Sequence, residues 1–199
     1  MAYVSQMTAL ISAHRALVIF FILYYVGLIV YGVARGATQT IFYVVFVGGG
    51  ALLVGWLYPR ARFSALVLWG LALWGLAHMV GGLVAFGGTI VYDFSLRGGE
   101  FRFDKVVHFF GFGFATLAAY ELLRQTVADN APARAVAITA AFVGLGVGAI
   151  NETIEFVITL LPGESNVGGF SNTGWDLVAN ALGAAAAAWA APRLEAREG

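Results

Sequence analysis

Six long apolar runs, separated by short polar breaks, constrain this sequence more than any other feature. Each run is close to the ~17–25 residues that a helix needs to cross a bilayer, and none alternates as the strands of a membrane barrel do. The predicted spans cover residues 16–33, 38–57, 65–86, 106–123, 133–161 and 175–191. The sequence therefore predicts an all-α, polytopic membrane bundle of about six transmembrane helices, forming a single transmembrane domain over residues 1–199.

The composition agrees with a bilayer as the solvent of this chain. Hydrophobic residues make up 60% of it and charged residues 11%, against roughly 45–50% and 25% in soluble domains. The net charge is zero, so a nucleic-acid partner is not expected. The sequence contains no cysteine, which excludes disulfides and thiolate metal sites. We expect the lipid bilayer as partner and a multi-pass position in the cell (plasma) membrane.

The basic residues predict the orientation of the bundle. With six spans, both termini and the loops after the second and fourth spans share one side, which holds seven arginines. The opposite side holds three arginines and Lys105. Because basic loops favour the cytoplasm, both termini are predicted to be cytoplasmic. The first run is longer than the ~7–15 residues of a signal-peptide core, so we expect a retained helix.

Polar side chains inside the apolar runs are the candidate functional residues, because such groups are costly in hydrocarbon. Antiparallel spans place the late parts of the third and fifth runs beside the early parts of the fourth and sixth. On the predicted orientation these parts share the outer leaflet, where they would line one pocket. The candidates are His78, Asp104, His108, Asn151, Glu152, Glu155, Asp176 and Asn180.

The pair of glutamates in the fifth run is the strongest of these signals. Glu152 and Glu155 lie one turn apart in mid-helix, where two carboxylates repel unless a cation or a shared proton intervenes. We therefore predict a divalent metal ion (Zn, Mn, Fe or Mg), with Asn151 and Asn180 as supporting polar groups. His108 and Glu155 are the candidate catalytic residues, as ligand or general base. The predicted ligands are His78, Asp104, His108, Glu152, Glu155 and Asp176.

Three simpler interpretations stay open for individual candidates. Asp104 lies where the fourth helix would begin, so it could be an N-cap. Thr173 and Asp176 have the spacing of a capping box, which would make Asp176 a first-turn residue. His78 could be a hydrogen-bonded packing residue.

Three segments resemble those of VanZ-like membrane proteins. Asp104-Lys105-Val106-Val107-His108 looks like their Asp-Lys-x-x-His segment, and residues 176–183 look like their Asp-x-x-x-Asn-x-x-Gly segment. Residues 152–155 resemble their Glu-x-x-Gln segment, with Glu155 in place of the glutamine. The related YjdF-like family, whose function is uncharacterised, is similar at its Glu-x-x-Glu motif and at residues 120–124. The resemblance covers about residues 104–191.

The resemblance implies which residues form the site, but it does not imply a particular reaction. VanZ-like proteins are linked to glycopeptide (teicoplanin) resistance by a mechanism that is not settled. Glu155 makes the site more acidic than the VanZ-like pattern, which favours a bound cation.

Three classes of function compete on this sequence. The first is a metal-dependent membrane enzyme that hydrolyses or transfers a group on a lipid-linked or cell-envelope substrate. The second is an ion- or proton-coupled transporter, which the lack of a sequence repeat disfavours. The third is a structural or partner-binding membrane subunit joined by buried polar groups. A haem cofactor is disfavoured, because two isolated histidines are the only feature of the sequence that favours it.

Overall fold

The computed structural model describes residues 11–95, 99, 101–160 and 168–198. The chain divides into two compact units, Met1–Val91 and Tyr92–Gly199. Within the described ranges each unit contains three long helices. The prediction of one transmembrane domain stays a prediction, and the two units are described separately.

The first unit is a helical hairpin followed by a third helix and a short β-hairpin. Its helices are α1 (Arg15–Ala34), α2 (Thr40–Ala61) and α3 (Ala65–Leu83). Strands β1 (Ala85–Phe86) and β2 (Thr89–Ile90) pair antiparallel, and a 3-10 turn follows at Val91–Asp93. Gly87 and Gly88 connect the strands with positive φ angles of 63° and 91°, which suits glycine in a two-residue hairpin turn. The core of the unit contains Tyr43, Val47, Met79 and Leu83.

The second unit consists of three helices that pack against one another. They are α4 (Phe103–Arg124), α5 (Ala133–Thr159) and α6 (Phe170–Glu198). Helices α4 and α6 approach so closely that a Cβ on Gly183 would overlap the backbone carbonyl of Phe109. A Cβ on Gly113 would lie 3.3 Å from the carbonyl oxygen of Gly183. Small residues at this crossing therefore allow backbone-to-backbone contact.

Five of these helices, α1 to α5, are long and apolar enough to cross a membrane. The prediction of a polytopic, helical membrane protein is thereby confirmed. Helix α6 is not among the five, so the sixth span stays a prediction, as does the cytoplasmic position of both termini.

Three predicted helix ends differ from the structure. The second predicted span ends at residue 57 and the sixth at residue 191, yet α2 continues through Pro59 and α6 through Pro192. A proline removes one backbone hydrogen bond, which tertiary contacts beyond it can offset. Beyond Pro192, Glu195 accepts hydrogen bonds from Tyr120 and Arg124 of α4. The third span is predicted to end at residue 86, but α3 ends at Leu83 and β1 begins two residues later. Residue 161, where the fifth predicted span ends, lies outside the described residues.

Candidate metal centre

Three helices of the second unit contribute buried polar side chains to one cluster. The first turns of α4, the late part of α5 and the first three turns of α6 lie at the same end of the unit. A cluster of this kind inside apolar helices needs internal partners for each charge and each hydrogen-bonding group. The buried members are Asp104, Lys105, His108, Asn151, Glu152, Asp176 and Asn180.

Lys105 joins α4 to α6 through its ammonium group. Nζ lies 2.9 Å from Oδ2 of Asp104 and 2.9 Å from Oδ1 of Asp176. It also donates to Oδ1 of Asn172 at 2.7 Å, and it lies 3.5 Å from the Asn172 backbone carbonyl oxygen. The amide Nδ2 of Asn172 donates in turn to Oδ2 of Asp176 at 2.6 Å. Both oxygens of Asp176 are therefore held in place.

His108 lies between the side chains of α5 and α6. Its Nδ1 is 3.0 Å from Oδ1 of Asn180 and 3.4 Å from Oε1 of Glu152. Because both of these oxygens accept hydrogen bonds, we assign the ring proton to Nδ1. Nε2 then carries a lone pair, and it lies 3.7 Å from Oδ1 of Asp176. One ligand atom each from His108, Glu152 and Asp176 lie within 4.8 Å of one another, so this group could hold a metal ion.

Three buried polar atoms of the cluster have no hydrogen-bond partner within the described part of the chain. They are Oε2 of Glu152, Oδ1 of Asn151 and Nδ2 of Asn180. An unpaired buried polar atom costs about 1–3 kcal/mol, and more when it is charged. A carboxylate oxygen and an amide oxygen of neighbouring residues thus lack a donor or a cation.

Glu155 stands at the edge of this cluster. It is half-buried, and its Oε1 accepts a hydrogen bond of 2.8 Å from Nδ2 of Asn151. The same amide nitrogen lies 3.4 Å from Oε1 of Glu152. Asn151 therefore contacts both glutamates, and Glu155 is outside the three-residue group that could hold a metal.

His78 belongs to the first unit and lies among aromatic rings. Its ring centroid is 5.2 Å from that of Tyr43, 5.3 Å from that of Phe46 and 5.6 Å from that of Trp74. The side chain is buried. The three-residue group that could hold a metal does not include it. Its predicted role as a ligand stays a prediction.

The two capping interpretations are wrong. Arg102 is the N-cap residue of α4, and Asp104 is its second helical residue. Oδ1 of Asp104 accepts from the backbone N–H of Lys105, while Oδ2 accepts from the ammonium group. Helix α6 begins at Phe170, which places Asp176 in its second turn instead of a first-turn capping box.

Two members of the cluster were not among the predicted site residues. Lys105 had been counted as a loop charge, but it is 5% exposed and belongs to the first turn of α4. Its position inside the Asp-Lys-x-x-His segment was the signal that could have identified it. Asn172 precedes the predicted sixth span, so no pattern in the sequence pointed to it.

The buried charges of the cluster do not balance when every buried carboxyl group is ionised. Asp104, Asp176 and Glu152 are buried carboxyl groups, and Lys105 is the buried ammonium group among them. His108 contacts Asn180 and two of these carboxylates. With Asp104, Asp176 and Glu152 ionised and His108 neutral, these buried side chains carry a net charge of two negatives, which one divalent cation would cancel. The arrangement is therefore able to bind one such ion.

Comparison with known proteins identifies a membrane family. A family model described as "Predicted membrane protein (DUF2238)" matches residues 16–197. No curated protein and no solved structure matches the chain. The family match and the five long apolar helices confirm the predicted localisation, a multi-pass membrane protein, and agree with the plasma membrane. The VanZ-like and YjdF-like assignments are not confirmed by this match.

Proposed function

The chain belongs to the membrane protein family described as "Predicted membrane protein (DUF2238)", and on that premise we propose that it is a metal-dependent membrane enzyme. The ion would be a divalent metal (Zn, Mn, Fe or Mg), and the substrate a lipid-linked or envelope molecule. One observation carries this proposal: the buried group His108, Glu152 and Asp176, in which a carboxylate oxygen of Glu152 has no partner in the described chain.

The ligand geometry supports the proposal. Metal bonds of about 2.1 Å in a tetrahedral site place neighbouring ligand atoms about 3.4 Å apart. Nε2 of His108 and Oδ1 of Asp176 are 3.7 Å apart, which is close to this spacing. Asn180 accepts from Nδ1 of the same ring, as the outer partners of metal-bound histidines do.

An enzyme is favoured over a purely structural site by the number of ligands. Three protein ligands leave a coordination position for water, whose pKa a bound metal lowers to near neutrality. Glu155 is half-buried and adjacent, so it is the candidate general base. His108 lies five residues into α4, about 7–8 Å from the helix start. This shallow depth suits a substrate that enters from one leaflet.

The orientation and the number of spans belong to the same proposal. With α6 as a sixth span and both termini in the cytoplasm, the cluster faces the outer leaflet. A substrate would then come from the cell envelope. The resemblance of residues 104–191 to VanZ-like proteins supports this direction.

A transporter is the second candidate, but the second unit offers it little support. Beyond the polar cluster, the helices of this unit meet mainly through an apolar core, in which Thr116 is a buried polar side chain. The core residues are Ala119, Tyr120, Val136, Ala137, Ala140 and Ala191. A proton or ion relay needs polar groups along its route. A structural subunit is the third candidate, and the bridge from Lys105 to Asp176 would serve it equally well.

Elemental analysis of the full chain, purified in detergent, tests the proposal. We expect one equivalent of metal in the wild type and a loss of at least tenfold in Glu152→Gln and in Asp176→Asn, because each removes an anionic ligand. Glu195→Gln is the matched control, since Glu195 is bound by Arg124 instead of the cluster. This variant should keep its metal.

Two outcomes would contradict the metal site. One is a folded wild-type protein that takes up none of the four metals after dialysis against each of them. The other is equal metal loss in all three variants, which would reflect general damage. Metal bound without hydrolysis of any lipid-linked substrate would favour the structural alternative.

A further inference from the structure

Lys105 is buried in the cluster, and the metal proposal gives it no role. An ammonium group has three N–H donors, and Lys105 uses them on Asp104, Asp176 and Asn172 at 2.7–2.9 Å. A fourth oxygen, the backbone carbonyl of Asn172, lies 3.5 Å away. Lys105 therefore has no donor left for a substrate anion such as a phosphate.

The four atoms that the described residues place within 3.5 Å of this ammonium nitrogen as hydrogen-bond acceptors are all oxygens. Two come from carboxylates on different helices, one from an amide and one from a backbone carbonyl. Mg²⁺, Mn²⁺ and Ca²⁺ prefer ligands of this kind. The oxygen atoms around Nζ are therefore of the same types as the ligands of a hard divalent cation.

Asp176 connects this oxygen set to the candidate metal centre. Its Oδ1 lies 2.9 Å from Nζ of Lys105 and 3.7 Å from Nε2 of His108. One carboxylate oxygen would thus lie between the ammonium group and the metal ion. In enzymes with paired metals, roughly 3.5–4 Å apart, carboxylates commonly lie between the two ions.

We propose that Lys105 is a specificity-determining residue that occupies a second cation position, so that the cluster accepts a single divalent ion. The proposal rests on the proposed metal centre for its consequence, since it explains why one ion suffices. The geometric part of the proposal, in which an ammonium group fills a cage of oxygen atoms, can be tested separately. Without Lys105, the cage would carry two uncompensated carboxylates and room for a hydrated ion.

The test is Lys105→Ala in the full chain, with the melting temperature measured with EDTA and with millimolar Mn²⁺ or Mg²⁺. Breaking a buried ion pair leaves an uncompensated charge, so we expect a fall on the order of 10 °C in EDTA. Divalent ions should restore at least half of this loss beyond the shift that they produce in the wild type, and Mn²⁺ content should rise by one equivalent over wild type.

Two controls separate charge from packing. Lys105→Met fills the space without a charge, so divalent ions should raise its melting temperature no more than they raise that of the wild type. Lys105→Ala combined with Asp176→Asn removes one wall of the cage and should also show no recovery. If Lys105→Ala does not fold in EDTA, recovery of folded protein on adding Mn²⁺ replaces the melting shift, with Lys105→Met as the comparison.

No recovery of Lys105→Ala with divalent ions beyond the wild-type shift would overturn the proposal. This failure differs from failure of the metal centre itself, which is judged by the metal content of the wild type. A metal-free wild type with cation-dependent recovery of Lys105→Ala would remove the enzyme proposal and keep the oxygen cage. A wild type that binds metal, together with no recovery of Lys105→Ala, would keep the enzyme proposal and remove the oxygen cage.

Discussion

Glycine serves the α4–α6 crossing of the second unit differently from the helix contacts of the first unit. In the first unit, glycines face tyrosine hydroxyls: a Cβ on Gly75 would lie 2.7 Å from the hydroxyl oxygen of Tyr24, and one on Gly82 would overlap that of Tyr43. In the second unit, Gly183 and Gly113 face backbone atoms of the partner helix. Side chains therefore separate the helices of the first unit, while α4 and α6 touch directly.

This difference explains where buried charge can be held. Lipid offers no hydrophobic driving force between helices, so close packing and polar contacts must hold them together. Direct contact of α4 and α6 brings Lys105 within reach of Asp176. The first unit buries His78 against aromatic rings instead. A tight helix crossing is thus the condition for the polar cluster.

The largest effect is expected from Gly183→Ala. Its Cβ would overlap the backbone carbonyl of Phe109, which cannot rotate away, so α4 and α6 must separate. We expect a loss of about 1–3 kcal/mol, measured as the shift in a detergent or denaturant unfolding curve. Metal content should fall as well, because the ligands lie on both sides of this crossing.

Gly75→Ala is the matched variant in the first unit. There the new methyl group meets the end of a tyrosine side chain, which can move by rotation. The loss should be smaller than for Gly183→Ala, and metal content should not change. An equal loss in both variants would mean that the two units do not differ in the way proposed.

A smaller effect is expected from His78→Phe. The aromatic surroundings of His78 accept a ring of similar size, so the cost should stay below about 1.5 kcal/mol. Metal content should equal that of the wild type, whereas His108→Phe should lose the metal. Elemental analysis of both variants makes this comparison. Loss of metal in His78→Phe would show that the histidine is a ligand and that the aromatic packing is secondary.

The helices themselves were predictable, because long apolar runs permit few other structures. The ends of the helices were less predictable where tertiary contacts determine them. Pro192 reads locally as a stop, but the helix continues to Glu198, and Tyr120 and Arg124 hold Glu195 beyond it. No local pattern encodes a contact between residues more than seventy positions apart.

The cluster was predictable only in part, for a similar reason. Helical spacing and antiparallel order indicated that His108, Glu152 and Asp176 could meet, and the structure brings them together. Lys105 was missed because a lysine at a helix start usually extends toward the membrane surface. Its direction depends on the rotation of α4 against α6, which spacing does not fix.

The smallest effect is expected at the other end of the second unit, beyond the apolar run 175–191. Burial raises the pKa of Glu195, but hydrogen bonds from Tyr120 and Arg124 outweigh it and leave this pKa below its ordinary value. A lowered pKa in the folded state stabilises the protein above the ordinary pKa of the group, and this contribution disappears as the pH falls through the lowered value.

Glu195→Gln should therefore cost about 0.2–1 kcal/mol near pH 7, and less as the pH falls below about 4. The lower part of this range is expected, because the side chain of Glu195 is 39% exposed and solvent screens the pair. Melting curves of wild type and variant at several pH values measure the difference. A difference in stability between wild type and variant that grows as the pH falls would contradict the ion pair. A gap larger than that of Gly183→Ala would mean that this contact, and not the glycine crossing, holds α4 against α6.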